Sequence, residues 1–141
     1  MEKSKKVKLE PKILRQLKKL GVGIVYLFGS QTEGTATFKS DFDIGIVFTN
    51  PKKNFQNRIK LHSKLFDIFC EVLPVTFKNE PDISFLQFTS SLLAFEATNY
   101  GKVIFEISPE FRANFEENIR KKYFDFKPYI NEYFQTTVEV L

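Results

Sequence analysis

The chain has 141 residues, of which 43% are hydrophobic and 27% charged, a balance typical of one globular domain and not of a disordered chain. A single cysteine excludes a disulfide scaffold, and no stretch approaches the ~18 apolar residues that a membrane-spanning helix needs. The net charge is +4, but residues 1–20 hold eight Lys/Arg and two acids, so the basic excess lies in an N-terminal tail and a first helix. The basic start has no apolar segment behind it, which predicts a cytoplasmic protein without a secretory signal.

The first half of the chain is predicted to form helix, strand, strand and helix. Apolar residues recur at helical spacing over residues 13–20, and Gly21 is placed to end that helix. Val22–Phe28 is an almost unbroken apolar run, which predicts a buried strand, and Asp41–Thr49 predicts a second strand after a loop rich in Gly, Ser and Thr. A longer helix is predicted from Asn54 to Phe69. Its buried side is predicted to carry Phe55, Ile59, Leu65, Phe66 and Phe69.

The second half continues with short elements. Glu71–Phe77 has a strand-like composition that Pro74 makes irregular, and Asp82–Leu86 predicts a short strand. Phe88–Asn99 predicts a helix, and Val103–Ile107 predicts another short strand. Helices and strands are mixed and their connections are short. The expected fold class is therefore α/β (α+β), with a mixed central sheet flanked by helices.

The last helix has clear signals at its start. Ser108 is an N-cap residue, and a proline and a glutamate follow it in the first turn. The apolar stripe of this helix is predicted to consist of Phe111, Phe115 and Ile119, and Pro128 is predicted to break the helix. The aromatic residues beyond that proline are expected to help form a protein–protein contact, either with a second copy of the chain or with a partner protein.

The segment between the first two strands carries the residues with chemical meaning. Gly29 has no Cβ and lets the backbone approach a bulky anion, and Ser30 offers a hydroxyl and a backbone N–H where phosphate binding is favoured. Asp41 and Asp43 are two positions apart on a strand, so their carboxylates point to the same face. Such carboxylates repel each other unless a cation lies between them, and hard oxygen ligands suit Mg²⁺. The Gly29–Ser30 pair and the Asp41–Asp43 pair are each common in proteins, but their combination at this spacing predicts a phosphate and metal site.

Together these residues resemble a known signature. The pattern F-G-S-x-x-x-G over residues 28–34, with ten residues from Ser30 to Ser40 and then S-D-x-D-I, resembles that of a large family. This is the nucleotidyltransferase fold shared by DNA polymerase β, kanamycin nucleotidyltransferase and the minimal nucleotidyltransferases. The resemblance covers roughly residues 10–134 and is strongest to the minimal branch. Glu33 departs from the pattern, because the family often has Arg or Lys at that position.

The resemblance implies a set of three catalytic carboxylates. Members of the minimal branch have a third carboxylate on a later strand, and the sequence from Asp82 onward matches that pattern. Asp41, Asp43 and Asp82 are therefore implied to be catalytic and to hold Mg²⁺, with two ions expected, while ATP is the implied substrate. The residues implied to contact the nucleotide are Gly29, Ser30 and Ser40.

The implied reaction transfers AMP, or another nucleoside monophosphate, from ATP to a hydroxyl group. By resemblance to antitoxin-type members, the acceptor is expected to be a tyrosine of a HEPN toxin and the chain is expected to act as its antitoxin. A non-catalytic binding module and an aminoglycoside-type nucleotidyltransferase remain alternatives, as does a homodimer. Neither a membrane nor nucleic acid is required. The expected organisation is a basic flexible N-terminus over residues 1–9, a nucleotidyltransferase domain over 10–134 with a C-terminal helical segment from about 109, and a tail over 135–141.

Overall fold

The computed structural model describes residues 9–29, 42–73 and 80–140, and from residue 130 to 140 it describes the helical backbone alone. The family signals at residues 30–41 therefore fall outside the described residues. Five helices and four strands occupy the described part of the chain. In chain order they are α1 (Pro11–Lys19), β1 (Val22–Phe28), β2 (Phe42–Phe48), α2 (Pro51–Phe55), α3 (Arg58–Val72), β3 (Pro81–Phe85), α4 (Ser91–Tyr100), β4 (Lys102–Glu106) and α5 (Pro109–Val140).

The four strands form one sheet in the order β3-β2-β1-β4. β1 pairs antiparallel with both β2 and β4, whereas β2 and β3 are parallel. The predicted mixed sheet is thus confirmed. β1 has the predicted bounds and is buried at every position, since helices cover both faces of the sheet.

Each face of the sheet has its own hydrophobic core. On the first face, α1 and α3 pack Leu17, Leu65 and Phe69, all fully buried, against the aliphatic residues of β1 and β2. On the second face, α4 contributes Ala94 and Ala97, and α5 contributes the predicted stripe of Phe111, Phe115 and Ile119. Because successive strand residues point to opposite faces, β1 and β2 serve both cores.

The predicted helix over 54–69 is two helices. α2 ends at Phe55 and α3 begins at Arg58, so the break changes the helical phase between them. As a result Phe55 and Ile59 are 45% and 79% exposed, and their predicted burial is wrong. The buried side of α3 instead carries Leu61, Leu65, Ile68 and Phe69.

Smaller differences concern the ends of other elements. α3 continues through Val72, so the first residues of the predicted strand over 71–77 are helical, while residues 74–79 lie outside the described residues. α4 starts at Ser91 instead of Phe88, because the Ser90 hydroxyl accepts a hydrogen bond from the Leu93 N–H at 3.3 Å and caps the helix there.

Pro128 does not break the last helix, contrary to the prediction. α5 runs for 32 residues through Pro128 to Val140, and the predicted cap is present at its start, where the Ser108 hydroxyl accepts from the Phe111 N–H at 3.0 Å. Proline removes one backbone donor, but Phe124 and its neighbours are exposed, so water can satisfy the carbonyl left without a helical partner. The predicted tail over 135–141 is thus helical as far as Val140; the domain limits stay a prediction.

The helices of the described ranges include none with the length and apolar character needed to cross a membrane. The predicted cytoplasmic location stays a prediction.

Candidate active site

The site is built where two parallel strands begin side by side. Asp43 on β2 is the direct register partner of Asp82 on β3. In parallel strands, register partners point to the same face of the sheet, so the two carboxylates project from neighbouring backbones on one side. Asp43 is half-buried and Asp82 is exposed. The fold therefore brings together two of the three predicted carboxylates, although they are 39 positions apart in the sequence.

Gly29 completes this corner of the sheet. It directly follows Phe28, the last residue of β1 and the register partner of Asp43. Gly29 has a φ of +83°, in the left-handed region that favours glycine, and a Cβ built there would lie 2.0 Å from Oδ2 of Asp43. Only glycine leaves room for this carboxylate. The structure thus shows a close approach of Gly29 to Asp43, whereas the predicted approach to a bulky anion stays a prediction.

A small cleft opens next to this corner. It has a volume of about 220 Å³ and is lined by Phe28, Gly29, Glu96 and Tyr100. Tyr100 is 63% exposed. Gly101 follows directly at the end of α4, where a Cβ would lie 2.3 Å from the Ala97 carbonyl oxygen and 3.1 Å from that of Leu27, so a glycine there lets the helix end pack closely on β1. Sequence reasoning missed Glu96 and Tyr100, since neither belongs to a motif and only the packing of α4 on β1 places them here.

Three of the predicted residues lie outside the described residues: Ser30, Ser40 and Asp41. Asp41 precedes Asp43 by two positions, so the alternation of a strand would place both carboxylates on one face. Their roles stay predictions. Among the described residues, no group of three His, Cys, Asp or Glu side chains is close enough to form a metal site. The described pair of carboxylates nevertheless has the chemistry of a Mg²⁺ site, because hard carboxylate oxygens are the ligands that this ion takes.

A partly buried polar network supports the strand beneath the site. The Tyr26 hydroxyl on β1, which is fully buried, donates a hydrogen bond of 2.7 Å to Oε2 of Glu116 on α5. Arg112 pairs with Glu116 at 3.5 Å and also with Glu106 on β4. Burial, together with the hydrogen bond to Glu116, raises the pKa of Tyr26 above its ordinary value. The hydrogen bond to Glu106 raises the pKa of Arg112. The network ties β1, β4 and α5 together while the tyrosine stays neutral.

The remaining reactive side chains lie away from this corner. His62 is exposed on α3, where its ring meets the edge of Phe85 at a centroid distance of 6.1 Å. Cys70 is half-buried on the same helix, and desolvation raises the pKa of its thiol. A raised thiol pKa disfavours the nucleophilic thiolate. The chemistry of the described site is therefore carboxylate chemistry.

Comparison with known families assigns the chain to a family whose chemistry agrees with the carboxylates and Gly29 of this site. Residues 11–110 match the family described as polymerase beta, nucleotidyltransferase. The match includes both described carboxylates and Gly29, and it ends near the start of α5. No curated protein matches this chain.

Solved structures with the same fold come from toxin–antitoxin complexes. A chain of a toxin–antitoxin complex with AMP-PNP superposes with a TM-score of 0.68 and 21% identity, covering 90% of this chain and 96% of that one. A chain from a variant of the MntA–HpeT complex gives a TM-score of 0.67 and 21% identity, with coverages of 93% and 99%. A third, from a complex of the tri-AMPylated HEPN toxin of Shewanella oneidensis with its MNT antitoxin, gives 0.55 and 16%, with coverages of 92% and 99%. At these identities the likeness concerns the fold.

Proposed function

This chain belongs to the polymerase beta nucleotidyltransferase family, and from that premise we propose that it transfers AMP from ATP to a hydroxyl group and releases pyrophosphate. The observation that carries the proposal is the in-register pair of Asp43 and Asp82 beside the glycine corner at Gly29. Carboxylates on adjacent strands at the open end of a buried sheet suit phosphoryl-group chemistry, in which positioning and electrostatic stabilisation supply most of the catalysis.

The proposed step balances as an in-line displacement. The acceptor oxygen attacks the α-phosphorus of ATP, a P–O bond forms, and the bond between the α-phosphorus and the bridging oxygen to the β-phosphate breaks. Pyrophosphate leaves with the electron pair of that bond. Asp82, which is exposed at the start of β3, accepts the proton of the hydroxyl directly or through water. Gly29 and Ser30 hold the terminal phosphates.

The carboxylates need a cation to accept a polyanion. We assign Asp41, Asp43 and Asp82 as the residues that would hold Mg²⁺, and Ser40 as a nucleotide contact. Bound there, the metal neutralises negative charge on the triphosphate. The half-buried position of Asp43 supports this role, because two carboxylates that project from neighbouring strands on one side of the sheet, one of them partly desolvated, favour a bound cation.

The acceptor that we propose is a tyrosine of a HEPN toxin, which makes this chain an antitoxin. The likeness in fold to chains from toxin–antitoxin complexes supports the proposal. Exposed aromatic side chains on α5 supply a surface for such a partner, namely Phe124, Phe126 and Tyr129, which are 55%, 55% and 69% exposed. A reading frame for a small HEPN protein beside the gene would support this partner.

These exposed aromatic residues also favour the alternative in which the chain neutralises its partner by contact alone. The two functions differ in their need for Asp43. Asp43→Asn keeps the side-chain shape but weakens metal binding, so it should abolish label transfer from ATP to the HEPN partner while the complex still forms. Asp67→Asn, at an exposed position on α3 outside the proposed partner surface, is the matched control and should transfer at the wild-type rate. If the Asp43→Asn variant still protects cells fully from the HEPN toxin, neutralisation by contact alone would be favoured.

A further inference from the structure

One side of the molecule is strongly basic. Neither α1 nor the segment over residues 51–64 contains Asp or Glu, although both are rich in Lys and Arg. We use the name basic face for eight side chains of α1, α2 and the first half of α3, all of them exposed. They are Arg15, Lys18, Lys19, Lys52, Lys53, Arg58, Lys60 and Lys64.

The fold places the basic face in one continuous layer. α1 and α3 bury their apolar sides in the same core on the first face of the sheet, so their charged sides point outward together. The end of α1 meets α2 directly, since a Cβ at Gly21 would lie 3.0 Å from Nδ2 of Asn54. The described acidic residues of this layer are Glu10, Asp67 and Glu71; Asp67 and Glu71 lie in the second half of α3, and Glu10 and Glu71 line a common cavity of about 310 Å³.

Within the described ranges, none of the eight side chains forms an ion pair. Arg58 instead lies over the ring of Phe55, 4.0 Å from its centroid, and donates to the Phe55 carbonyl at 2.8 Å. The described part of α5 also carries several basic side chains, but there Glu116, Glu117 and Asp125 are interspersed with them. The basic face thus has a net positive electrostatic potential that the helices on the opposite side of the sheet do not have.

From this arrangement we infer that the basic face binds nucleic acid through its phosphates, without reading a base sequence. Six of the eight residues are lysines. Lysine is depleted at protein–protein interfaces, whereas Lys and Arg are the residues that neutralise a phosphate backbone.

Two other polyanionic partners fit less well. Binding to a membrane surface is strengthened by a helix whose apolar side can insert, but α1 and α3 bury theirs in the core through Leu17 and Leu65. An acidic protein would be expected to meet a surface with more arginine and aromatic residues and fewer lysines. The phosphate backbone of nucleic acid therefore suits the basic face best.

This binding surface is separate from the carboxylate corner. The basic face covers the first face of the sheet, whereas Asp43 points to the second face together with Val47, whose side chain packs in the other core. Nucleic-acid binding should therefore not depend on the carboxylates. Asp43→Asn is expected to bind the nucleic acid as tightly as the wild type.

The test compares two variants with the same change in net charge. One carries Lys18→Gln, Lys19→Gln, Lys52→Gln and Lys53→Gln on the basic face; the other carries Arg120→Gln, Lys121→Gln, Lys122→Gln and Lys127→Gln on α5. Fluorescence anisotropy measures the affinity of each for a labelled duplex of about 16 base pairs, as RNA or as DNA, between about 50 and about 200 mM salt. Thermal unfolding confirms that both variants are folded.

The basic-face variant should bind at least about 10-fold more weakly, and the slope of log K against log salt should fall in magnitude by about 3 to 4. The affinity of the α5 variant should stay within about 3-fold of the wild-type affinity, which is a smaller loss than the removal of four phosphate contacts would cause. Equal losses in both variants would mean that net charge alone acts and would overturn the proposal. So would the absence of binding at low salt, or equally effective competition by polyglutamate at matched charge, which would point to an acidic protein. A preference for RNA over DNA, or the reverse, would identify the nucleic acid within the proposal.

Discussion

The two faces of the central sheet are built from different side chains. On the first face, Leu17, Leu65 and Phe69 fill the space between sheet and helices with large apolar groups. The second face combines large apolar groups of α5 with small residues of α4, Ala94 and Ala97, and with the hydroxyl group of Tyr26. Small residues bring the helix close to the strands, and the space at the strand ends is left to Asp43 and its neighbours. The first face therefore contributes mainly stability, and the second combines stability with the candidate active site.

The positions of the strand glycines also differ between the two faces of the sheet. Gly45 and Gly23 lie under helix and loop side chains on the second face: a Cβ at Gly45 would be 2.8 Å from Leu86, and one at Gly23 would be 2.6 Å from Phe111. The described β-strand glycines both serve this face. A strand glycine weakens a sheet unless another group needs its space, so their placement indicates where close approach matters.

The largest expected effect is on the first face. Phe69→Ala removes a fully buried ring from the core that α1 and α3 share, and should lower the free energy of unfolding by about 3–5 kcal/mol. Because this core lies on the opposite face of the sheet from the carboxylates, the fraction that remains folded should transfer AMP normally. Urea unfolding followed by an activity measurement on the folded fraction checks both. Loss of activity without loss of stability would contradict the division between the faces.

Gly29→Ala should act on both stability and chemistry. The left-handed backbone costs about 1–2 kcal/mol for alanine, and the new Cβ collides with the Asp43 carboxylate, so AMP transfer should fall by at least about 10-fold. Gly21→Ala is the matched control, because Gly21 has the same φ of +83° but only the movable Asn54 amide nearby. Its stability should fall similarly while its activity is kept. Equal activity of the two variants would show that the glycine corner is only structural.

Gly45→Ala should lower stability by a comparable amount but should not change the chemistry. The added Cβ meets the flexible end of Leu86, which can move, so we expect a loss of about 1–3 kcal/mol in the free energy of unfolding, the usual range for overpacking. Thermal unfolding measures it. A neutral result would mean that the second face is packed less tightly than its glycines indicate.

The smallest effect concerns Tyr26. Tyr26→Phe removes the hydroxyl that donates to Glu116 and should cost about 1 kcal/mol near neutral pH. Since the folded protein raises the pKa of Tyr26, this stabilisation is present below the unfolded pKa of about 10 and is lost as the pH rises above it. The gap in stability between wild type and Tyr26→Phe should therefore narrow above about pH 10. A gap that stays constant with pH would contradict the role of the hydroxyl.

Local sequence patterns predicted most of the helices and strands but not which strands lie next to each other. β1 could be predicted to the residue, because an apolar run between two glycines has clear ends. The adjacency of Asp43 and Asp82 could not be derived from spacing, since it depends on the parallel pairing of distant strands; only the family resemblance implied a shared site. Phe55 and Ile59 were assigned to the core because a helical pattern does not show where a helix is interrupted. Pro128 was assigned to a break because sequence alone does not show that the surrounding turn is exposed.

The position of the transferred label tests the central claim most directly. The wild-type protein, the HEPN partner and Mg²⁺ are incubated with ATP labelled in its α-phosphate or, in a parallel reaction, in its γ-phosphate. If Asp43 and Asp82 catalyse AMP transfer, the partner acquires the α-label and not the γ-label, pyrophosphate appears in equal amount, and Asp43→Asn removes both signals. Transfer of the γ-label would indicate a kinase reaction instead, and α-label transfer that survives Asp43→Asn would place the chemistry outside this pair of carboxylates.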